Sequence, residues 1–133
     1  LIVASALAID SWAADEKNLA DKIAAINLDI RNYITTNIPD SDLAPHGADH
    51  LLSASFLYVN AEQLVTALAD KGYAVDSGSA CTAMNLQPSH VLAAMGLPTD
   101  GNIRITVHSE TTADEVDLLI TALVDEVRSQ QQR

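Results

Sequence analysis

The run from residue 102 to residue 108 constrains the fold more than any other part of the chain. Ile103, Ile105 and Val107 alternate there with Arg104, Thr106 and His108. Successive side chains of a strand point to opposite faces, so the run reads as a strand with one apolar and one polar face. Such a strand needs a sheet around it and apolar cover on one side. Helical stripes supply the cover. Leu19, Ile23, Ile26, Ile30 and Ile34 recur at helical spacing within residues 1 to 36, and Val116, Leu119, Ile120, Leu123 and Val127 do so after Thr112. Thr112 and Glu115 form a capping box at the start of that last helix, and residues 129 to 133 read as a frayed polar tail.

The middle of the chain reads the same way. The step Ile38-Pro39 ends the first helix, because proline disfavours helix in the residue before it. Residues 39 to 49 read as a loop, and residues 50 to 59 as a strand rich in β-formers. Asn60, with Gln63 three residues on, caps a helix that buries Ala61, Leu64, Val65 and Leu68, and Gly72 stops it. A short strand is expected at 73 to 75 and a loop at 76 to 87. Pro88 would then open a short helix carrying Val91, Leu92 and Met95. The expected class is α/β of the α+β kind, a small and mostly antiparallel sheet flanked by helices. The 133 residues fit one domain, with a helical lead-in over 1 to 38 and an αβ core over 50 to 128.

Charge and cysteine content narrow the function. Eighteen acidic residues against 7 basic ones give a net charge of −11. That argues against nucleic acid and against anionic membrane surfaces. The apolar stretch from 1 to 9 is too short to span a bilayer and lacks the basic residues of a signal peptide. A cytoplasmic location is the default, and the opening Leu1 suggests the middle or an excised piece of a longer polypeptide. The lone Cys81 has no internal disulfide partner, and the four histidines show no ligand spacing, so no metal site is expected.

Three groups could carry chemistry. Cys81 sits in Ser77-Gly78-Ser79-Ala80-Cys81-Thr82, a small polar run that belongs in an exposed loop. Elsewhere a lone cysteine is commonly a small buried hydrophobe. Asp76 nearby opposes thiolate formation, and no Lys or Arg lies between Gly72 and Ile103 to favour it. Arg104, on the polar face of its strand, offers a fork that fits a carboxylate, or else a surface salt bridge with one of the many acids. His90 and His108 are each a potential general base, but such a residue is more often packed or solvent-facing with no catalytic task.

The cysteine run continues into Leu86-Gln87-Pro88-Ser89-His90-Val91-Leu92 and Met95-Gly96-Leu97. Together these resemble the active-cysteine segment of cysteine desulfurases, dimeric pyridoxal-phosphate-dependent enzymes of the class V aminotransferase group. Ile103-Arg104-Ile105-Thr106 with Thr111-Thr112, Glu115 and Asp117 is similar to the family's closing strand and helix. Ser53 to Phe56 with Glu62 and Leu64 is similar to the strand and helix before the cysteine loop. The resemblance spans about residues 50 to 127 and implies the C-terminal small domain of a fold-type I enzyme. It implies that Cys81 takes the substrate's sulfur as a persulfide, that Arg104 holds the carboxylate of L-cysteine, and that alanine leaves. It further implies a homodimer, an acceptor or iron–sulfur scaffold protein as partner, and pyridoxal phosphate bound mainly by a preceding large domain.

Three departures from the family pattern stand out. None of Lys17, Lys22 and Lys71 has the family's Schiff-base setting, so this chain alone should be inactive and hold no covalent cofactor. His50 stands where the family often has Asn. His108-Ser109-Glu110 follow where a small residue and an Arg are usual. The alternatives to a desulfurase are a non-catalytic binding or structural module, and a class V aminotransferase or lyase domain that does not use the thiol.

Overall fold

A computed structural model of the chain describes residues 1–45, 47–77 and 89–132. Helix α1 (Ile2–Asn37) is continuous, so the opening residues do join the first helix. They are exposed throughout, and burial begins only in the second half, at Asn27, Ile30 and Ile34. Leu19, Ile23 and Ile26, which the stripe would bury, are half-buried. β1 (Ser41–Leu43) is a strand where the sequence reads as loop. β2 (Leu51–Phe56) is shorter than expected, because Tyr58 turns the chain with a left-handed φ of 63°.

α2 (Ala61–Asp70) carries the expected cap, with the Asn60 side chain accepting from the Gln63 N–H at 2.9 Å. Gly72 follows it at φ 90°, a conformation that glycine adopts without penalty. The next strand is displaced from the expected one. Residues 73 to 75 are not in it, and β3 is the pair Asp76–Ser77. α3 (His90–Ala94) is capped by Ser89, whose side chain accepts from the Leu92 N–H. Pro88, expected to open this helix, lies outside the described residues. β4 (Asn102–Thr106) is followed by α4 (Ala113–Gln131), whose Thr112–Glu115 capping box is complete. The expected frayed tail is helical to Gln131. It is tied down by the Gln130 side chain, which accepts from the Asn60 N–H, and by the Gln131 amide, which donates to the Leu57 carbonyl.

The strands form one antiparallel sheet in the order β1-β2-β4-β3. Register sorts the side chains. Leu52 faces Ile105 and Ala54 faces Ile103, and with Phe56 these form the apolar face. Ile30 and Ile34 of α1, Leu64 and Leu68 of α2, and Val116, Ile120, Leu123 and Val127 of α4 pack on it as one core. This is the expected α+β architecture. The opposite face carries Ser53, Ser55, Asn102, Arg104 and Asp76. The short α3 lies toward that second face, where Val91, Leu92 and Met95 share a cavity with Ser53, Asn102 and Arg104.

Candidate functional site

The polar face of the sheet is built around Arg104. On one side its register partner is Ser53 of β2, and on the other it is Asp76 of β3. Side chains directly opposite in antiparallel strands lie within reach of each other. Here Asp76 and Arg104 form an ion pair, each side chain about half exposed at 50% and 46%. Of the two readings that the sequence leaves open for Arg104, the salt bridge is therefore present. Arg104 also lines the cavity described below.

Asn102 lies two residues before Arg104, on the same face and buried. Its amide donates to Ser53 Oγ and Ser55 Oγ, both at 3.0 Å, and Ser55 Oγ donates to the Pro98 carbonyl at 2.8 Å. This network fixes β2 against β4 and leaves neutral groups on the β2 side of Arg104, opposite Asp76. Neither Asn102 nor the serines stood out in the sequence. Their signal was the same alternation that placed Arg104, read one position further.

A cavity of about 360 Å³ opens on this face between β2, β4, α3 and the β1–β2 connection. Arg31 and Arg104 both line it, together with Ser53, Ser89 and Asn102. Among the described residues no acidic side chain lines it, in a chain with 18 acids. Arg31 was not anticipated. Its Nε donates to Asn27 Oδ1 at 2.8 Å and its Nη1 to the Ala44 carbonyl at 2.9 Å, which anchors it at the cavity wall. Two guanidiniums with amide and hydroxyl neighbours suit a small anion such as a carboxylate.

Cys81 lies outside the described residues, as does the rest of 78–88. The residues that bracket this segment are both beside the site. Ser77 pairs with Ile103, and Ser89 lines the cavity. The histidines are elsewhere. His90 is exposed at the start of α3 and is not among the cavity's lining residues. His108 is exposed in the turn after β4, its Nδ1 accepting from the Glu110 N–H. His50 is exposed and contributes its carbonyl to the Val107 N–H. His46 lies outside the described residues.

The lysines do not fit a Schiff base with pyridoxal phosphate. None of the three lines the cavity. Lys22 donates to the Ser109 carbonyl at 2.7 Å, and Lys71 pairs with Glu126 at 2.8 Å. The Glu126 hydrogen bond raises the Lys71 pKa above its usual value, the opposite of what a nucleophilic amine requires. Among the described residues no group of three or more His, Cys, Asp and Glu side chains could hold a metal ion. No helix there is long and apolar enough to cross a membrane.

The family model for class-V aminotransferases matches residues 2–119. The chain belongs to the class-V aminotransferase family. Within the family, it is 46% identical over 78 residues to proteins named cysteine desulfurase IscS from Escherichia coli and Shigella boydii. That match covers 56% of this chain and 19% of the relatives, so the chain spans about a fifth of the curated relatives it matches. Among solved structures it resembles a NifS-like protein with a TM-score of 0.77 and 20% identity, over 96% of this chain and 33% of that one. A NifS-like protein from Rickettsia africae gives a TM-score of 0.72 and 16% identity, over 87% of this chain and 31% of that one. At such identities these two likenesses show the fold, and they agree with the small antiparallel sheet flanked by helices.

Proposed function

We propose that this chain is the C-terminal domain of a cysteine desulfurase. In this reading Cys81 accepts sulfur from L-cysteine, and Arg104 holds the substrate's α-carboxylate. The observation that carries it is the placement of Arg104 on a cavity that no acidic side chain lines among the described residues, near the two residues that bracket the Cys81 segment. The identity to the IscS proteins over 78 residues supports the same reading.

Pyridoxal phosphate, if held by another domain of the intact protein, would supply the electron sink for breaking the substrate's carbon–sulfur bond. This chain supplies the remaining groups. Arg104 orients the amino acid through a charge-assisted, two-point contact with its carboxylate. The Cys81 thiolate attacks the substrate sulfur, the carbon–sulfur bond breaks with its electron pair going to the carbon, that carbon takes up the proton the substrate thiol gives up, and alanine leaves while the sulfur stays on Cys81 as a persulfide. An acceptor or iron–sulfur scaffold protein then takes the sulfur. The intact enzyme works as a homodimer in the cytoplasm, and this chain without its cofactor domain is inactive.

The test uses the full-length protein. Cys81→Ser abolishes alanine release from L-cysteine, and mass spectrometry finds the persulfide on Cys81 of the wild type alone. Alanine release at the wild-type rate from Cys81→Ser overturns the desulfurase reading in favour of a thiol-independent class V enzyme. No turnover of any amino acid by the wild-type holoenzyme favours a non-catalytic module.

A further inference from the structure

We propose that Asp76 is an internal competitor for the substrate carboxylate, occupying the Arg104 guanidinium until substrate arrives and so setting the affinity of the site. This rests on the reading of Arg104 as the substrate-carboxylate arginine.

The geometry begins with strand register. Asp76 and Arg104 are directly opposite in the β3–β4 ladder, so both side chains leave the same face of the sheet. Among the described residues, Asp76 is the carboxylate that pairs with Arg104. The guanidinium's other cross-strand neighbour, Ser53, is neutral, and its hydroxyl is engaged with Asn102. The cation that would receive a carboxylate from the cavity is thus already neutralised from the edge of the sheet.

Two properties make the pair a competitor and not a fixed strut. Both partners are about half exposed, at 46% and 50%, and exposed pairs of this kind are weak. In addition, among the described residues β3 is the edge strand of the sheet, so Asp76 has a strand partner on one side only. An incoming carboxylate either displaces Asp76 or shares the guanidinium with it. In both cases it meets a cation that Asp76 has partly neutralised, and in the second it also meets a like charge. Because Asp76 is tethered, it competes as an intramolecular ligand whose effective concentration does not change with that of the substrate.

The competition is specific to one chemical group. It acts on ligands that bring a carboxylate to Arg104 and leaves analogues with a neutral carboxamide in its place unaffected. Asp76 therefore raises the substrate concentration at which the site half-fills, without touching the reacting sulfur.

The experiment compares wild type, Asp76→Asn, Arg104→Lys and the double variant in the full-length holoenzyme. KM and kcat are measured for L-cysteine, and binding of L-alanine and L-alaninamide is measured by titration calorimetry. Asp76→Asn is expected to lower KM and to tighten L-alanine binding roughly two- to fivefold, the span of an exposed ion pair. L-Alaninamide binding should not change, and the gain should vanish in the Arg104→Lys background. If Arg104→Lys binds L-alanine as wild type does, the reading of Arg104 itself fails. If Arg104→Lys weakens binding but Asp76→Asn does not tighten it, or tightens the amide equally, the competitor role of Asp76 fails. A fall in melting temperature with no change in either affinity marks the pair as structural and overturns the proposal.

Discussion

The backbone N–H of Phe56 donates to the carbonyl of Gly101 at 3.1 Å, which draws the end of β2 against the turn that leads into β4. The approach is so close that a Cβ on Gly101 would collide with the Phe56 carbonyl oxygen and lie 3.0 Å from that of Val59. Gly101 also has a φ of 65°, where L-residues are strained. Gly101→Ala is therefore expected to cost about 2–4 kcal/mol, the sum of backbone strain and overpacking. Urea denaturation of the variant measures it. A loss below about 0.5 kcal/mol, the range of a neutral surface change, would show that the turn relaxes freely.

Asn27 leads to a second expectation. It is fully buried on α1, where a hydrophobic stripe would ordinarily continue. Its amide donates to the carbonyls of Asp49 at 2.8 Å and Leu51 at 3.2 Å, and its oxygen accepts from Arg31. The residue thus joins α1 to the start of β2 and steadies Arg31 at the cavity wall. Asn27→Ala should destabilise the chain by about 1–3 kcal/mol. It should also raise hydrogen exchange in residues 44 to 51 more than in α2. Uniform exchange across both regions would contradict this local role.

The contrast between these residues and Arg104 shows what the sequence could reveal. Alternation in β4 announced both its apolar and its polar face, and the caps at Asn60 and Thr112 announced two helix starts, because each signal is local. β1 was hidden because Ser41 and Asp42 follow Pro39 and read as a turn. The three-residue strand exists only through its pairing with β2. β3 was misplaced because Tyr73 and Val75 have the propensity, whereas pairing with β4 selects Asp76 and Ser77. The site was legible to the same extent. Arg104 follows from periodicity, but its partner Asp76 and its cavity neighbour Arg31 are set by strand register and by the packing of α1, which no local pattern encodes.

The capping box of α4 gives a pH-dependent expectation. The Thr112 backbone N–H donates to Glu115 Oε2 at 2.9 Å, and the Thr112 hydroxyl donates to the same oxygen at 2.8 Å. These bonds favour the charged carboxylate and hold the Glu115 pKa below its usual value. The backbone bond is the larger cause, and the fields of His108 and Lys22 add to it. The negative charge also lies in the first turn of the helix, where the macrodipole favours it. A pKa lower in the folded than in the unfolded chain means that the unfolded state takes up the proton first as pH falls. The contribution of Glu115 is then fully present above the ordinary glutamate value of about 4.3, and it is lost as pH drops through the lower, folded-state value. Glu115→Gln keeps a side chain that can complete the capping box but removes the charge. Thermal melts of wild type and Glu115→Gln should therefore differ most near neutral pH and converge in acid, below the carboxylate range. A difference that stays constant across that range would mean that the charge of Glu115 contributes nothing and that the box acts through neutral hydrogen bonds alone.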